Sequence, residues 1–106
     1  MRATSRLLHS CRITLFTRPT CGLCTRARSV LSDVWDRRPF DFQEIDIVKP
    51  ESKNWRDLYD FDVPVIHISK ASSPEEDPRL ASKAVKLMHR FTAEEVMAKM
   101  DSVEKS

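Results

Sequence analysis

Two cysteines stand three positions apart in Cys21-Gly22-Leu23-Cys24. Thiols at that spacing can share a proton and close a disulfide, which is redox chemistry. The apolar residues that follow, Leu23, Ala27, Val30, Leu31 and Val34, recur three or four positions apart and predict an amphipathic helix to about residue 36. Cys21 then falls at a helix N-terminus. There the unpaired N–H groups and the positive end of the helix dipole favour a thiolate, with a pKa below the free-thiol value of ~8.5. Cys24 lies one turn further in, with less help in ionising and more burial, which suits a resolving thiol. Zinc would need two further ligands. Cys11, His9, His67 and His89 supply no second close pair, so no metal site is expected.

Arg18, Arg26 and Arg28 flank the pair, and no acid occurs before Asp33. The resulting positive field favours thiolate and attracts anionic thiols. Arg26 and Arg28 themselves read as the solvated face of the helix.

The elements around the pair follow from pattern. Residues 12–17 form a β-branched, aromatic and leucine run that Pro19 ends, a short buried strand. A break at Arg37-Arg38-Pro39 precedes a second strand over 40–47, carried by Phe40, Phe42, Ile45 and Ile47. Strand, helix and strand make a βαβ unit with parallel strands. Pro50 can open a short helix with Trp55, Leu58 and Tyr59 on one face. Val63-Pro64-Val65-Ile66-His67-Ile68 is a third strand that begins with proline, and the residues alone leave a cis Val63-Pro64 bond a minority option. Residues 70–81 read as loop, and 83–90 resume strand character through Val85 and Leu87. Thr92 and Glu95 then form a capping box, with Phe91 and Val96 as its hydrophobic staple. Val96, Met97, Met100 and Val103 supply the buried stripe of the last helix. The order βαβαββα is an α/β fold, a four-stranded mixed sheet with three helices on its two faces.

A chain of 106 residues is one domain. Its 41% apolar and 32% charged residues imply a small core under a well-solvated surface. A net charge of +2 is too weak and dispersed for nucleic acid. No apolar run approaches the ~18 residues of a membrane span. Three cysteines, two of them in a CxxC beside a strand and a helix, fit a reducing compartment. A cytoplasmic location is expected. Residues 1–11 are basic, hydroxyl-rich and acid-free, the composition of a very short mitochondrial presequence, and are otherwise read as a frayed tail before a domain at 12–106. Trp35 and Trp55 read as core or boundary residues, Cys11 as a buried or frayed thiol, and His67 as a satisfied histidine. His89 and Arg90 read as a solvated strand end.

The chain resembles the glutaredoxin-like branch of the thioredoxin superfamily from residue 12 to about 105. The resemblance rests on Thr17-Arg18-Pro19-Thr20-Cys21-Gly22-Leu23-Cys24, on Glu44-Ile45-Asp46, and on Asp62-Val63-Pro64-Val65. It implies a thioredoxin-like fold with a cis Val63-Pro64 bond against the cysteine pair. The backbone of Val63 would offer an edge to a substrate's cysteinyl backbone. Arg18 holds the basic position that meets a glutathione carboxylate in that family, and Thr20, Gly22 and Leu23 complete the surface beside Cys21. The family's Gly-Gly turn before the last helix is absent, since Gly22 is the only glycine, and Arg90 stands as a substitute carboxylate partner. The implied activity is thiol–disulfide oxidoreduction on protein or glutathione mixed disulfides, at a potential of roughly −200 to −230 mV. No tightly bound cofactor is expected, glutathione is a candidate co-substrate, and the chain is expected to be a monomer. Two alternatives are an iron–sulfur cluster carried by Cys21 and glutathione between two protomers, and a redox-silent binding module.

Overall fold

A computed structural model describes residues 9–106, so most of the basic tail lies outside the described residues. Seven elements follow the expected order: β1 (Cys11–Thr17), α1 (Gly22–Arg37), β2 (Asp41–Asp46), α2 (Lys53–Tyr59), β3 (Val65–Lys70), β4 (Val85–Met88) and α3 (Ala93–Glu104). Two short 3₁₀ turns, Pro50–Ser52 and Pro78–Lys83, precede α2 and β4. The sheet order is β2-β1-β3-β4. β1 runs parallel to β2, pairing Arg12 with Asp41 through Thr17 with Asp46. It runs antiparallel to β3, and β3 runs antiparallel to β4. The sheet is therefore mixed, as expected.

β1 is buried on both faces, which its near-continuous apolar run requires. Ile13 and Leu15 join Ala27, Leu31 and Val34 of α1 and Val96, Met100 and Val103 of α3 in the larger core. Phe16 faces the other way, in a smaller core with Ile47, Trp55, Tyr59 and Val65. Its ring centroid lies 4.5 Å from Trp55 and 5.3 Å from Tyr59. Burial of such a ring contributes about 2–3 kcal/mol. The capping box of α3 forms as expected, with Thr92 Oγ1 accepting from Glu95 N–H and Glu95 Oε1 accepting from Thr92 N–H.

Three local expectations are corrected. Leu58 does not share the buried face of α2, because Trp55 and Tyr59, one full turn apart, fill it and leave Leu58 exposed. The last strand stops at Met88, since His89 takes φ 63° and turns the chain out of the ladder. The 70–81 segment is not simply loop: β3 runs to Lys70, and Pro78 starts a 3₁₀ turn capped by Asp77, whose side chain accepts from Arg79 N–H.

That segment is pinned from beneath. Arg12 donates to the carbonyls of Ser73 and Pro74 and to Glu76 Oε2 at 2.9–3.1 Å. Glu76 Oε1 lies 2.7 Å from Nδ1 of the buried His67, whose Nε2 lies 2.7 Å from the Tyr59 hydroxyl. Both ring nitrogens of His67 therefore have a hydrogen-bond partner, Glu76 at Nδ1 and Tyr59 at Nε2. His67 is thus a satisfied histidine, as its sequence context suggests. The hydrogen bond from His67 holds the Glu76 carboxyl below its usual range, with Arg12 acting in the same direction against burial. Burial raises the Tyr59 hydroxyl, and nearby Glu76 adds to the rise.

A carboxyl depressed by folding stabilises the fold above its unfolded pKa, and that stability is lost as pH falls through the folded value. Urea unfolding of the wild type should therefore lose stability between about pH 5 and pH 3. Glu76→Gln should cost about 2 kcal/mol at neutral pH and flatten that acid limb. Cys11 opens β1 in the larger core at 1% exposure, with Sγ 3.6 Å from Glu104 Oε2. Burial, and then Glu104, push its thiol up to about 11. Iodoacetamide at pH 7.5 should leave Cys11 unlabelled in the folded, reduced protein and label it only after denaturation, which peptide mass mapping would show.

Candidate redox site

β1 ends at Thr17, and the chain reaches Cys21 in four residues. Thr20 turns it with φ 51°, a left-handed conformation that a β-branched residue rarely takes, and its hydroxyl donates to the Pro19 carbonyl at 2.7 Å. Cys21 is the N-cap of α1: its Sγ accepts from the backbone N–H of Cys24 at 3.1 Å. The two cysteines are joined as a disulfide, with Cα atoms 5.2 Å apart. Cys24 is fully buried and Cys21 is half-buried, so one sulfur is open to attack and the other is covered. Gly22 is exposed, and a Cβ built on it meets nothing within 4 Å. The approach to Cys21 is clear on that side.

The Val63-Pro64 bond is cis. Pro64 is buried, and its carbonyl accepts from His89 N–H at 2.8 Å, which ties the turn after β4 to the proline loop. Val63 is half-buried, ahead of the sheet ladder that starts at Val65.

The arginines divide into separate roles. Arg18 Nη2 donates to both the carboxylate and the backbone carbonyl of Asp60, so its partner is this chain's own acid. The pair joins the loop before Cys21 to the loop before Pro64. Arg28 is not merely a solvated side chain: it donates from Nε and Nη2 to Glu44, which also accepts from the Thr17 hydroxyl at 2.9 Å. Arg28 holds the Glu44 carboxyl below its usual range, with Thr17 helping. This cluster fastens α1, one turn after Cys24, to the ends of β1 and β2. Arg26 and Arg90 share a cleft of ≈ 230 Å³ with Val30, His89, Phe91 and Glu95, between α1 and the start of α3. The capping box of α3 takes up the Thr92 and Glu95 N–H groups.

Leu23 is half-buried on the first turn of α1. Sequence reasoning did not find Asp60, the partner of Arg18, nor Phe61, which stands 93% exposed beside it. An aromatic residue between two acids, after a helix whose apolar face was already supplied, was the available signal. Among the described residues no helix is long and apolar enough to cross a membrane.

The fold is that of thioredoxins. Chloroplastic thioredoxin z superposes with a TM-score of 0.63 at 19% identity, covering 92% of this chain and 80% of that one. Oxidised thioredoxin O2 from Arabidopsis thaliana gives 0.61 at 15% identity, covering 94% and 82%. A glutaredoxin-like protein of Dictyostelium discoideum, the YDR286C homolog, is 37% identical over 60 residues, 53% of this chain and 56% of that protein. The chain thus spans little more than half the length of that relative. The model of the glutaredoxin-like domain (DUF836) matches residues 12–101, which take in every element from β1 to most of α3, the dithiol turn and the cis-proline loop. By that match over nearly its whole length, the chain belongs to the glutaredoxin-like domain family.

Proposed function

We propose that the protein is a thiol–disulfide oxidoreductase that reduces disulfides of proteins. The observation that carries this reading is the asymmetry of the pair: Cys21 caps α1 and is accessible, while Cys24 is buried one turn behind it. In the reduced protein, the Cys21 thiolate attacks one sulfur of a substrate disulfide. The substrate S–S bond breaks, a mixed disulfide forms, and the departing thiolate takes a proton. Cys24 then loses its proton and attacks Cys21 Sγ, which closes the Cys21–Cys24 disulfide and releases the second substrate thiol. Two electrons have passed to the substrate, and an external thiol such as glutathione, or a dithiol protein, must return them.

The Val63 backbone receives the substrate's extended chain beside its cysteine. Two observations favour protein disulfides over glutathione as the main substrate. Arg18 is already engaged by Asp60. At the α3 N-terminus the capping box uses the Thr92 and Glu95 N–H groups, and Glu94 and Glu95 place two negative charges where a glutathione carboxylate would otherwise dock. Arg26 and Arg90 remain as the cationic side of the adjoining cleft, where a substrate carboxylate would pair.

The test is to equilibrate the full chain in glutathione redox buffers, quench with an alkylating agent, and compare wild type with Cys21→Ser and Cys24→Ser. The expected result is a reversible Cys21–Cys24 disulfide at a midpoint of roughly −200 to −230 mV, with Cys24→Ser accumulating a mixed disulfide on Cys21. A pair that stays reduced, or oxidised, across the whole range would remove the oxidoreductase reading and favour a redox-silent binding module. Visible absorbance lost on chelation would point instead to a cluster carrier.

A further inference from the structure

Phe61 is 93% exposed, the most exposed of the large apolar side chains among the described residues. Single apolar residues on a surface are ordinary and need no explanation. This one differs in how its backbone is held. On its N-terminal side the Asp60 carbonyl accepts from Arg18, and the Asp60 carboxylate pairs with the same guanidinium. On its C-terminal side Asp62 N–H donates to the Tyr59 carbonyl at 2.9 Å, and Tyr59 is anchored in the smaller core. The ring is therefore presented to water by a segment with fixed partners on both sides. A backbone already held in place loses little entropy when a partner covers the side chain it carries.

Its location is set by the same contacts. Arg18 lies three residues before Cys21, and Phe61 two residues before Val63. The Arg18–Asp60 pair ties those two loops together, so Phe61 lies on the loop fastened to the segment that leads into Cys21, a rim that a substrate joined to that sulfur and lying along Val63 would follow. Nothing in the fold uses the ring: Phe16, Trp55 and Tyr59 complete the core beneath it.

We propose that Phe61 is a specificity residue that receives a large apolar side chain lying within two residues of the target cysteine in an extended protein substrate. The inference rests on the oxidoreductase reading and narrows its substrate class. With the substrate cysteine at Cys21 and its backbone along Val63, neighbouring substrate side chains pass over this rim at strand spacing, about 7 Å for every second residue. An aromatic or leucine side chain there covers the Phe61 ring and removes both from water. A serine there does not, and a small disulfide such as hydroxyethyl disulfide has no atoms to reach it.

Single-turnover reduction by the pre-reduced full chain tests this with three probes: a disulfide-linked peptide dimer with phenylalanine two residues from its cysteine, the same dimer with serine there, and hydroxyethyl disulfide. Phe61→Ser should slow the phenylalanine peptide by about tenfold, the loss expected when about half a ring's burial is removed. It should leave the other two probes within about twofold, and Phe61→Leu should restore most of the loss. Because the ring touches no core residue, both variants should unfold like wild type, which thermal melts would check. Equal slowing of all three probes, or of none, overturns the proposal while leaving the oxidoreductase reading intact. A wild type that reduces none of the probes removes that reading and this inference together.

Discussion

Burial of β1 on both faces is the constraint from which the redox site follows. A central strand hydrogen-bonded to β2 on one side and β3 on the other, with Ile13 and Leu15 in one core and Phe16 in another, has no freedom to slide or twist. A one-residue slip would exchange its two cores. The reactive turn starts where that strand stops. Only Arg18, Pro19 and Thr20 separate Thr17 from Cys21, so the position of the sulfur inherits the rigidity of the sheet. Glu44, held between Arg28 and the Thr17 hydroxyl, then fixes the direction in which α1 leaves.

The second face of the sheet is covered differently. α2 is only seven residues long and buries Trp55 and Tyr59, so much of that face depends on the segment after β3. There the cover is polar: Arg12, Glu76, His67 and Tyr59 form one chain of hydrogen bonds under the 3₁₀ turn. The Glu76 carboxylate, both His67 ring nitrogens and the Tyr59 hydroxyl all have partners, so the burial leaves no carboxylate or imidazole stranded, while Arg12 Nε is buried without one. Within this arrangement Phe16 touches both Tyr59 and His67, with centroids 5.3 and 4.8 Å apart. The polar chain and the apolar core are therefore one packing unit.

Elements whose formation is local were readable from residue pattern. The helical spacing from Leu23 to Val34, the capping box at Thr92 and Glu95, and the apolar run of β1 all rest on interactions within a few residues or on simple burial. Leu58 was misplaced because three apolar residues within five positions fit a helical face on paper, while the sheet beneath has room for two. The strand end at Met88 depended on His89 entering a left-handed conformation, which histidine adopts without advertising it in the sequence. At the site, the cysteine pair and its helix position were legible, and the cis proline followed from family resemblance. The partners of Arg18, Arg28 and His67 were not, because Asp60, Glu44 and Glu76 lie 42, 16 and 9 residues away and pairing over such distances is decided by the tertiary fold.

The cap of α1 is supplied by the more exposed sulfur of the Cys21–Cys24 pair. A thiolate and a disulfide sulfur are not equal as acceptors: the anion binds the Cys24 N–H and the helix dipole more strongly. The first turn of the helix is thereby one half of a thermodynamic cycle whose other half is the electron couple. Whatever tightens that turn only in the presence of negative charge makes the protein a better oxidant, and whatever tightens it equally in both states changes stability and leaves the potential alone. A mutational scan of α1 would accordingly separate into two classes, residues that hold the helix together and residues that hear the charge on its first sulfur.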